Sequence, residues 1–366
     1  MVTVFVCGDV MLARGIDQIL AEPADPTLYE RHMEDARDYI AIAEEVSGPI
    51  PRKVPSDYPW GDAIAVLDAA RPDARIVNLE TSITRRGWPD RDKGIHYRVS
   101  PENAACLRAA RVDVCTLANN HVLDWGPDGL LDTLDTLDRL TIGRCGAGRD
   151  LDEALRPAVI DLGDRGRIVV FSVGCADAGV PPWWLAAQAQ PGVSALVDLG
   201  AETTRKLRHA IEPWRRNHTL IVLSIHWGPN WGFAIEPTHR RFAHHMIDEA
   251  GVDLVHGHSS HHVKGIEVHH GRPILYGCGD LLTDYEGIRG QGQEVYRGDL
   301  GLMYFVTFDD HGILAKLDMV PTRMHRFRIT EAGPKEARWL AETLARTGDT
   351  FGTSVAMTGQ RLSLTW

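Results

Sequence analysis

The chain has 366 residues, a formal net charge of −11 at pH 7, 44% hydrophobic residues and 24% charged residues. This ordinary globular composition predicts a substantial core, in one large domain or in two units. The acidic balance argues against a nucleic-acid-binding protein and against adsorption on an anionic membrane, since both partners attract basic surfaces.

The cysteine pattern and the length of the apolar runs indicate the cellular compartment of the protein. The six cysteines include no C-x-x-C pair, which favours buried free thiols in a reducing compartment. The first residues have no basic segment, and Asp9 interrupts their apolar run. No stretch approaches the ~18 uninterrupted apolar residues of a membrane-spanning helix. We therefore expect a cytoplasmic protein without direct membrane insertion.

In the first half, strands with β-branched residues alternate with helix-like stretches, and each strand is followed by polar residues. The strand 2–7 leads to Asp9, and the strand 74–77 leads to Glu80. The segment 112–118 is followed by Asn120 and His121. The residues 128–140 then predict an amphipathic helix.

The second half repeats this order. A strand over 167–175 and a helical run from about 202 precede a strand that carries His226. A helix starts near Pro237 and ends before Gly251, and the next strand leads into the histidine-rich segment 256–262. A strand over 272–276 has a glycine-rich exit, and a β-hairpin around 310–312 suits an antiparallel edge.

We predict one domain over 1–330, with insertions at about 21–60 and 85–100 that cover the site. Residues 331–366 are expected to form a C-terminal helix and a tail.

Polar residues of metal-ligand type follow the predicted strands. Ligands in open α/β sheets bind beyond the carboxyl ends of strands, so we expect these residues to meet. The predicted ligands are Asp9, Glu80, Asn120, His226, His258 and His261. Two carboxylates, one amide and three imidazoles suit one or two divalent ions of Mn, Zn, Fe or Co. Taken singly, Asp9 is equally explained as a helix N-cap and Asn120 as a turn residue.

Further histidines lie outside the predicted ligand set. His256 is either a candidate acid/base or a buried strand histidine. The pairs at 244–245 and 269–270 are expected to be solvated.

Six motifs together resemble the CapA family, the poly-γ-glutamate-synthesis-like branch of the calcineurin-like metallophosphoesterases. They are GDVMLARG, NLETSIT, LANNHVLDWG, SIHWG, HGHSSHHVKGIE and YGCGD, in order along most of the chain. The resemblance implies a four-layer α/β/β/α sandwich with a mononuclear or dinuclear metal site. It also implies that the six predicted ligands bind metal and that His121 is a general acid/base.

Two departures from the phosphoesterase pattern weaken a phosphatase interpretation. Met11 stands where a ligand histidine is usual, and a thioether is a poor substitute for imidazole on such ions. The last motif is also stretched, with His258 and His261 three residues apart. Phosphate partners are sparse as well: Arg14, Lys93 and Lys264 are expected to be exposed charges.

Three functions follow from this pattern. The first is metal-assisted epimerisation at Cα of a peptide residue, as in a branch that resembles lasso-peptide epimerases, with His121, Asp9 and His256 as catalytic candidates. The second is phosphoester hydrolysis, and the third is an accessory role in making a γ-linked polymer. A peptide or small-molecule substrate would contact Trp60, Trp88, Trp183 and Trp184, unless these residues pack the insertions onto the core. The sequence leaves the metal and the oligomeric state open.

Overall fold

The computed structural model describes residues 1–288 and 292–366, and these residues form two mixed β-sheets that pack face to face. The strands are β1 (Val2–Val10), β2 (Thr27–Glu30), β3 (Met33–Asp35), β4 (Ala74–Leu79), β5 (Ser82–Ile83), β6 (Arg98–Val99), β7 (Val114–Thr116), β8 (Gly143–Cys145), β9 (Ala147–Gly148), β10 (Ala158–Asp161), β11 (Arg167–Cys175), β12 (Gly192–Val193), β13 (Ala195–Leu196), β14 (Thr219–His226), β15 (Leu254–His258), β16 (Ile266–His269), β17 (Arg272–Leu275), β18 (Asp280–Leu282), β19 (Leu300–Phe308), β20 (Leu314–Met324), β21 (Ile329–Glu331), β22 (Ser354–Thr358) and β23 (Arg361–Thr365). The helices are α1 (Gly15–Ile19), α2 (Arg37–Ser47), α3 (Asp62–Ala70), α4 (Ala105–Ala109), α5 (Gly126–Arg139), α6 (Leu151–Leu155), α7 (Ala201–Ile211), α8 (Pro237–Asp248) and α9 (Pro334–Gly348).

Parallel pairing in both sheets aligns the strands that precede the predicted ligands. Within the described ranges, the first sheet follows the path β22-β23-β20-β19-β1-β4-β7-β8, with β18 beside β1 and β21 beside β20. The second follows β10-β11-β14-β15-β17-β16, with β13 beside β11. The strands β1, β4 and β7 run parallel in one sheet, and β11, β14 and β15 do so in the other. Their carboxyl ends therefore lie at the same edge of each sheet.

Alternate side chains of each strand enter different layers. Val4 and Val6 of β1 enter the core between the sheets, whereas Phe5 and Cys7 face the helices that cover the first sheet. On the second sheet, Val222 of β14 enters the same inter-sheet core, and α7 and α8 cover the outer face. The predicted four-layer α/β/β/α sandwich is confirmed.

Two long helices match the apolar periodicity of their sequences. Leu130, Leu134 and Leu137 of α5 are completely buried against the first sheet. Helix α8 begins at Pro237, which needs no hydrogen-bond acceptor for its nitrogen, and Phe242 is buried against the second sheet.

The chain after α9 differs from the predicted tail. The strands β22 and β23 form a hairpin, and β23 extends the first sheet by pairing with β20. Leu362 and Leu364 of β23 are buried. These leucines alternate with polar residues in a short segment, so their burial depends on the edge that β20 offers. The β19–β20 hairpin is consequently interior, between β1 and β23, and is not the predicted edge. The division at residue 330 stays a prediction.

The two insertions lie in different places. Residues 85–100 bring Lys93 and Tyr97 beside His121. Residues 21–60 pack mainly against the outer helical layer, where Trp60 is completely buried and donates to the Cys106 carbonyl.

The cysteines agree with the sequence analysis. The six cysteines are buried and free. No helix within residues 1–288 and 292–366 combines the length and apolarity required to cross a bilayer.

Candidate metal centre

The polar residues predicted at strand ends meet at one edge of the sandwich. The first sheet supplies Asp9 at the end of β1, and Glu80 and Asn120 just after β4 and β7. The second sheet supplies His226 and His258, which are register partners at the ends of the parallel strands β14 and β15. The centre therefore lies across the interface between the two sheets.

Three buried side chains form its core. One ligand atom each of Asp9, His226 and His258 lies within 4.8 Å of the others. The Nδ1 atoms of His226 and His258 are 2.8 Å apart, and Nδ1 of His258 is 3.8 Å from Oδ1 of Asp9. Asn78 donates to the same Asp9 oxygen over 2.7 Å and fixes the carboxylate.

Glu80 and Asn120 border this core. Nε2 of His226 lies 3.1 Å from Oδ1 of Asn120 and 3.9 Å from Oε1 of Glu80. His261 lies next to a further carboxylate, with Nδ1 3.1 Å from both oxygens of Asp280. The six predicted ligands are thus gathered in one region, and Asp280 is added to them.

The electrostatics of the core suit a cation. Burial and the charge of Asp280 raise the pKa of Asp9 to about 7, and burial and Asp9 raise the pKa of Glu80. Burial lowers the pKa of His226. Carboxylates that resist ionising together, beside imidazoles that stay neutral, form a set of oxygen and nitrogen donors that fits a borderline divalent ion. Asp9, His226 and His258 would hold it, with Asn120 and Glu80 adjacent.

His121 has the geometry of a general base. Its Nδ1 lies 2.6 Å from Oδ2 of Asp124, and its ring stacks on Tyr97 with centroids 3.8 Å apart. A carboxylate accepts, so Nδ1 carries the proton and the lone pair is on Nε2, which lies 3.8 Å from Oε1 of Glu80. Burial, together with the charge of Lys93, lowers the pKa of His121. A neutral His121 therefore presents a proton acceptor to the centre.

His256 lies behind the centre and is completely buried. Its Nε2 donates to the Cys7 carbonyl over 2.7 Å, and its Nδ1 is 3.2 Å from the Ser224 hydroxyl. The same hydroxyl is 2.8 Å from Nε2 of His258. With both nitrogens occupied, His256 can orient His258 through Ser224 but has no free nitrogen for a substrate. Of its two sequence interpretations, the structure places it as a buried strand histidine.

Met11, which stands where a ligand histidine is usual, packs as an apolar side chain beside the centre. It is buried in a small cluster with Ala13 and Tyr97, and its sulfur accepts from the Ala13 amide over 3.2 Å. Since Tyr97 stacks on His121, the thioether supports the ring that positions the base.

The tryptophans named from the sequence lie in unlike surroundings. Trp60 is completely buried, so its prediction as a substrate contact is wrong: no face of the ring is available. Trp88 and Trp183 are 83% and 59% exposed. Trp184 is buried, donates to Asp90 over 2.8 Å, and lies 4.8 Å below the ammonium of Lys93.

The expected exposed cations are also placed differently. Arg14 is buried and forms a bidentate ion pair with Asp284, and Lys264 is buried as well. Lys93 is paired with Asp124. The prediction of exposed charge fails because each side chain acquires a partner or cover from a distant part of the chain.

Asp124, Asp280, Ser224 and Asn78 complete the centre but were not predicted as site residues. All four lie inside the motifs: Asn78 opens NLETSIT, Asp124 belongs to LANNHVLDWG, Ser224 opens SIHWG, and Asp280 ends YGCGD. Their position near strand ends was a usable signal. Ser224 lies within a strand, where only the packed sheet reveals its role.

The family model and the relatives found by sequence agree with the motif pattern. The family model for the bacterial capsule synthesis protein PGA_cap matches residues 3–285. A probable polyglutamine synthesis accessory protein of Mycobacterium tuberculosis is 44% identical over 97% of this chain and 93% of its own length. The capsule biosynthesis protein CapA of Bacillus anthracis is 27% identical over 91% of this chain and 69% of its own length. The 5'-nucleotidase precursor from Thermus thermophilus has a similar structure, with a TM-score of 0.44 and 14% identity over 95% of this chain and 58% of its own.

The expected relationship to the CapA family is thereby confirmed. By the match over residues 3–285 and the 44% identity, this chain belongs to the PGA_cap family of bacterial capsule synthesis proteins.

Proposed function

We propose that this chain is a metal-dependent hydrolase that acts on amide linkages in a glutamate-containing polymer during the synthesis of that polymer. The observation that carries the proposal is a single oriented base, His121 with Asp124, beside the buried ligands Asp9, His226 and His258. Relatives named for capsule and polyglutamine synthesis supply the substrate class.

The residues of the centre have separate roles in hydrolysis. When bound, a divalent cation supplies Lewis-acid polarisation of the substrate carbonyl. Asp124 holds the proton of His121 on Nδ1, so Nε2 can accept the proton of an attacking water. Lys93 bonds to the Asn120 carbonyl and lies 3.3 Å from Nδ1 of His121, which places a positive charge at the rim where a carboxylate-bearing chain would enter.

Hydrolysis accounts for the geometry better than epimerisation does. Inversion at Cα needs a base on one face of the carbon and an acid on the other. His256, the second group considered for that role, has both ring nitrogens bonded to Cys7 and Ser224. Epimerisation of a peptide, a cytoplasmic location and the absence of nucleic-acid partners stay predictions.

The test is digestion of defined oligomers. Metal-stripped protein, reloaded with Mn²⁺ or Zn²⁺, would be incubated with γ-linked and α-linked glutamate oligomers, and the products sized by mass spectrometry. We expect shorter oligomers from the wild type. Asp124→Asn should slow cleavage by about 100-fold or more while the bound metal is unchanged, because the base is misoriented. His258→Ala should lose metal and activity together, and the exposed His209 on α7 supplies a control in His209→Ala.

Three other results of this test would contradict hydrolysis of the polymer or indicate a different reaction. Metal-loaded protein that leaves every oligomer intact would overturn the proposal. Rapid cleavage of a generic phosphoester would instead support a phosphoesterase. Entry of solvent deuterium at Cα of a peptide, without a change in its length, would support epimerisation.

A further inference from the structure

A second group of metal-type side chains lies between helix α8 and the β16–β17 hairpin. Asp248 is the last residue of α8, and His269 and His270 lie at the end of β16 and in the turn that follows it. His244 of α8 packs beside them. The sequence predicts solvated histidines here. His270 is exposed as predicted, whereas His244 and His269 are only partly exposed.

This group is remote from the candidate metal centre. The strands β15 and β17 are parallel, with Val255 opposite Ile274 and His256 opposite Leu275. The turn before β17 therefore lies near the amino end of β15, whereas His258 lies at its carboxyl end. The two groups of ligands are at opposite ends of the second sheet.

Two imidazoles contact the carboxylate of Asp248 at the same time. Nε2 of His269 lies 3.0 Å from each oxygen of Asp248, and Nδ1 of His270 lies 2.8 Å from Oδ1. One ligand atom from each of these three residues lies within 4.8 Å of the others. In a tetrahedral site, donors 2.0–2.2 Å from a zinc ion lie roughly 3.3–3.6 Å apart, so small side-chain rotations suffice. The His270 side chain is 73% exposed and has room for them.

The imidazole rings of this group pack against one another. His244 and His269 stack with centroids 3.8 Å apart and planes 5° apart, and the centroid of His270 is 4.0 Å from that of His269. Imidazole nitrogens are the commonest side-chain ligands of divalent metals, so this group of rings offers several donors in a small volume.

Glu267 makes a second, overlapping triad with His244 and His269, but its oxygens are already engaged. One oxygen accepts from Arg240 over 2.9 Å and the other from the Tyr276 hydroxyl over 2.7 Å. The guanidinium disfavours a cation at Glu267. Asp248 instead contacts imidazoles and lies at the negative end of the α8 dipole, which favours a cation.

We propose that Asp248, His269 and His270 form a second, peripheral metal site that takes a borderline divalent ion such as Zn²⁺, Co²⁺, Ni²⁺ or Cu²⁺. Two imidazoles and one carboxylate favour these ions over Mg²⁺ and Ca²⁺. The ion would fasten the carboxyl end of α8 to β16, the last strand on the path of the second sheet. Such a cross-link stabilises the folded state without contributing to catalysis.

The test is a Co²⁺ and Zn²⁺ titration of metal-stripped full-length protein. The peripheral variant carries His269→Ala with His270→Ala, and the centre variant carries Asp9→Asn with His258→Ala. The wild type should bind about one Co²⁺ more per chain than the peripheral variant. Zn²⁺ should raise the unfolding temperature of the centre variant. That shift should disappear when both pairs of substitutions are combined.

Two further variants guard against indirect effects. His209→Ala with His311→Ala removes two exposed histidines elsewhere and should leave both readouts at the wild-type value. Asp248→Asn preserves side-chain volume and should weaken peripheral Co²⁺ binding by about tenfold or more. Unchanged Co²⁺ stoichiometry and an unchanged Zn²⁺ shift in the peripheral variant would overturn the proposal.

Discussion

The proton positions on the histidines of the metal centre are set by groups that lie behind it. The Cys7 carbonyl accepts from Nε2 of His256, and the Ser224 hydroxyl donates to Oγ1 of Thr116 over 3.1 Å. The Ser224 oxygen can then accept from Nε2 of His258. This order leaves Nδ1 of His258 with its lone pair toward Asp9, as a ligand requires.

Removing the hydroxyl of Ser224 should weaken metal binding. Ser224→Ala leaves Nε2 of His258 without its oriented partner, and loss of such a partner typically costs roughly 10–100-fold in metal affinity. Competition against a fluorescent chelator measures the change. Ser172 is the register partner of Ser224 on β11 and is also buried, so Ser172→Ala is a matched control. Equal affinities in the two variants would contradict the orienting role.

Restoring a histidine at position 11 should destabilise the protein rather than add a ligand. Met11 is buried against Ala13 and Tyr97, so an imidazole there replaces apolar contacts with a polar group. We expect Met11→His to lower the free energy of unfolding by about 1–3 kcal/mol, and Met11→Leu by less than about 1.5 kcal/mol. Urea denaturation with metal analysis measures both effects. One extra metal ion per chain in Met11→His would refute this interpretation.

At the scale of single residues, the sequence predicts the metal ligands better than the residues that orient those ligands. Asp9, Glu80 and His226 end or follow strongly apolar strands, and parallel pairing must bring such ends together. The role of Ser224 depends on which strand lies beside β14, which no local pattern specifies. The burial of Trp60 depends in the same way on the packing of an insertion.

At the scale of elements, the turn after β15 adopts a costly backbone conformation. Ser259 has a φ of 101°, a region that favours glycine. Its amide donates to Oδ2 of Asp9 over 3.2 Å, and its hydroxyl donates to the Gly228 carbonyl over 3.0 Å. These bonds hold the turn that carries the chain from His258 to His261. The strain therefore orients a ligand on each side of the turn.

Glycine should be more stable than alanine at this position. Ser259→Ala loses the hydroxyl and keeps the strain, whereas Ser259→Gly loses the hydroxyl and relieves the strain. We expect the glycine variant to be more stable by about 1 kcal/mol or more in chemical denaturation. At Ser172, in the regular strand β11, the order should be reversed. Alanine more stable than glycine at both positions would contradict a strained turn.

At the scale of the whole molecule, the layers were predictable and one sheet extension was not. The alternation of strands and helices, together with the motif order, predicts the four-layer sandwich. The strands β22 and β23 have only five residues each, and their local sequence does not specify the strand with which they pair. The hairpin forms because β20 presents an open edge, which exists only in the folded sheet.

The C-terminal hairpin should contribute to global stability. Leu362 is completely buried in the inter-sheet core, so Leu362→Ala should lower the free energy of unfolding by about 2–5 kcal/mol. Ser354 is exposed on the same hairpin, and Ser354→Ala should change it by less than about 0.5 kcal/mol. Thermal and urea unfolding measure both values. Similar, near-zero effects would mean that the segment behaves as a loose tail.

The placement of the metal centre across the two sheets has a consequence for biogenesis. Asp9 is synthesised about 250 residues before His258. A nascent chain that ends before β15 lacks His258 and cannot assemble the donor triad. Assembly of the triad is thereby deferred until both sheets are present and docked.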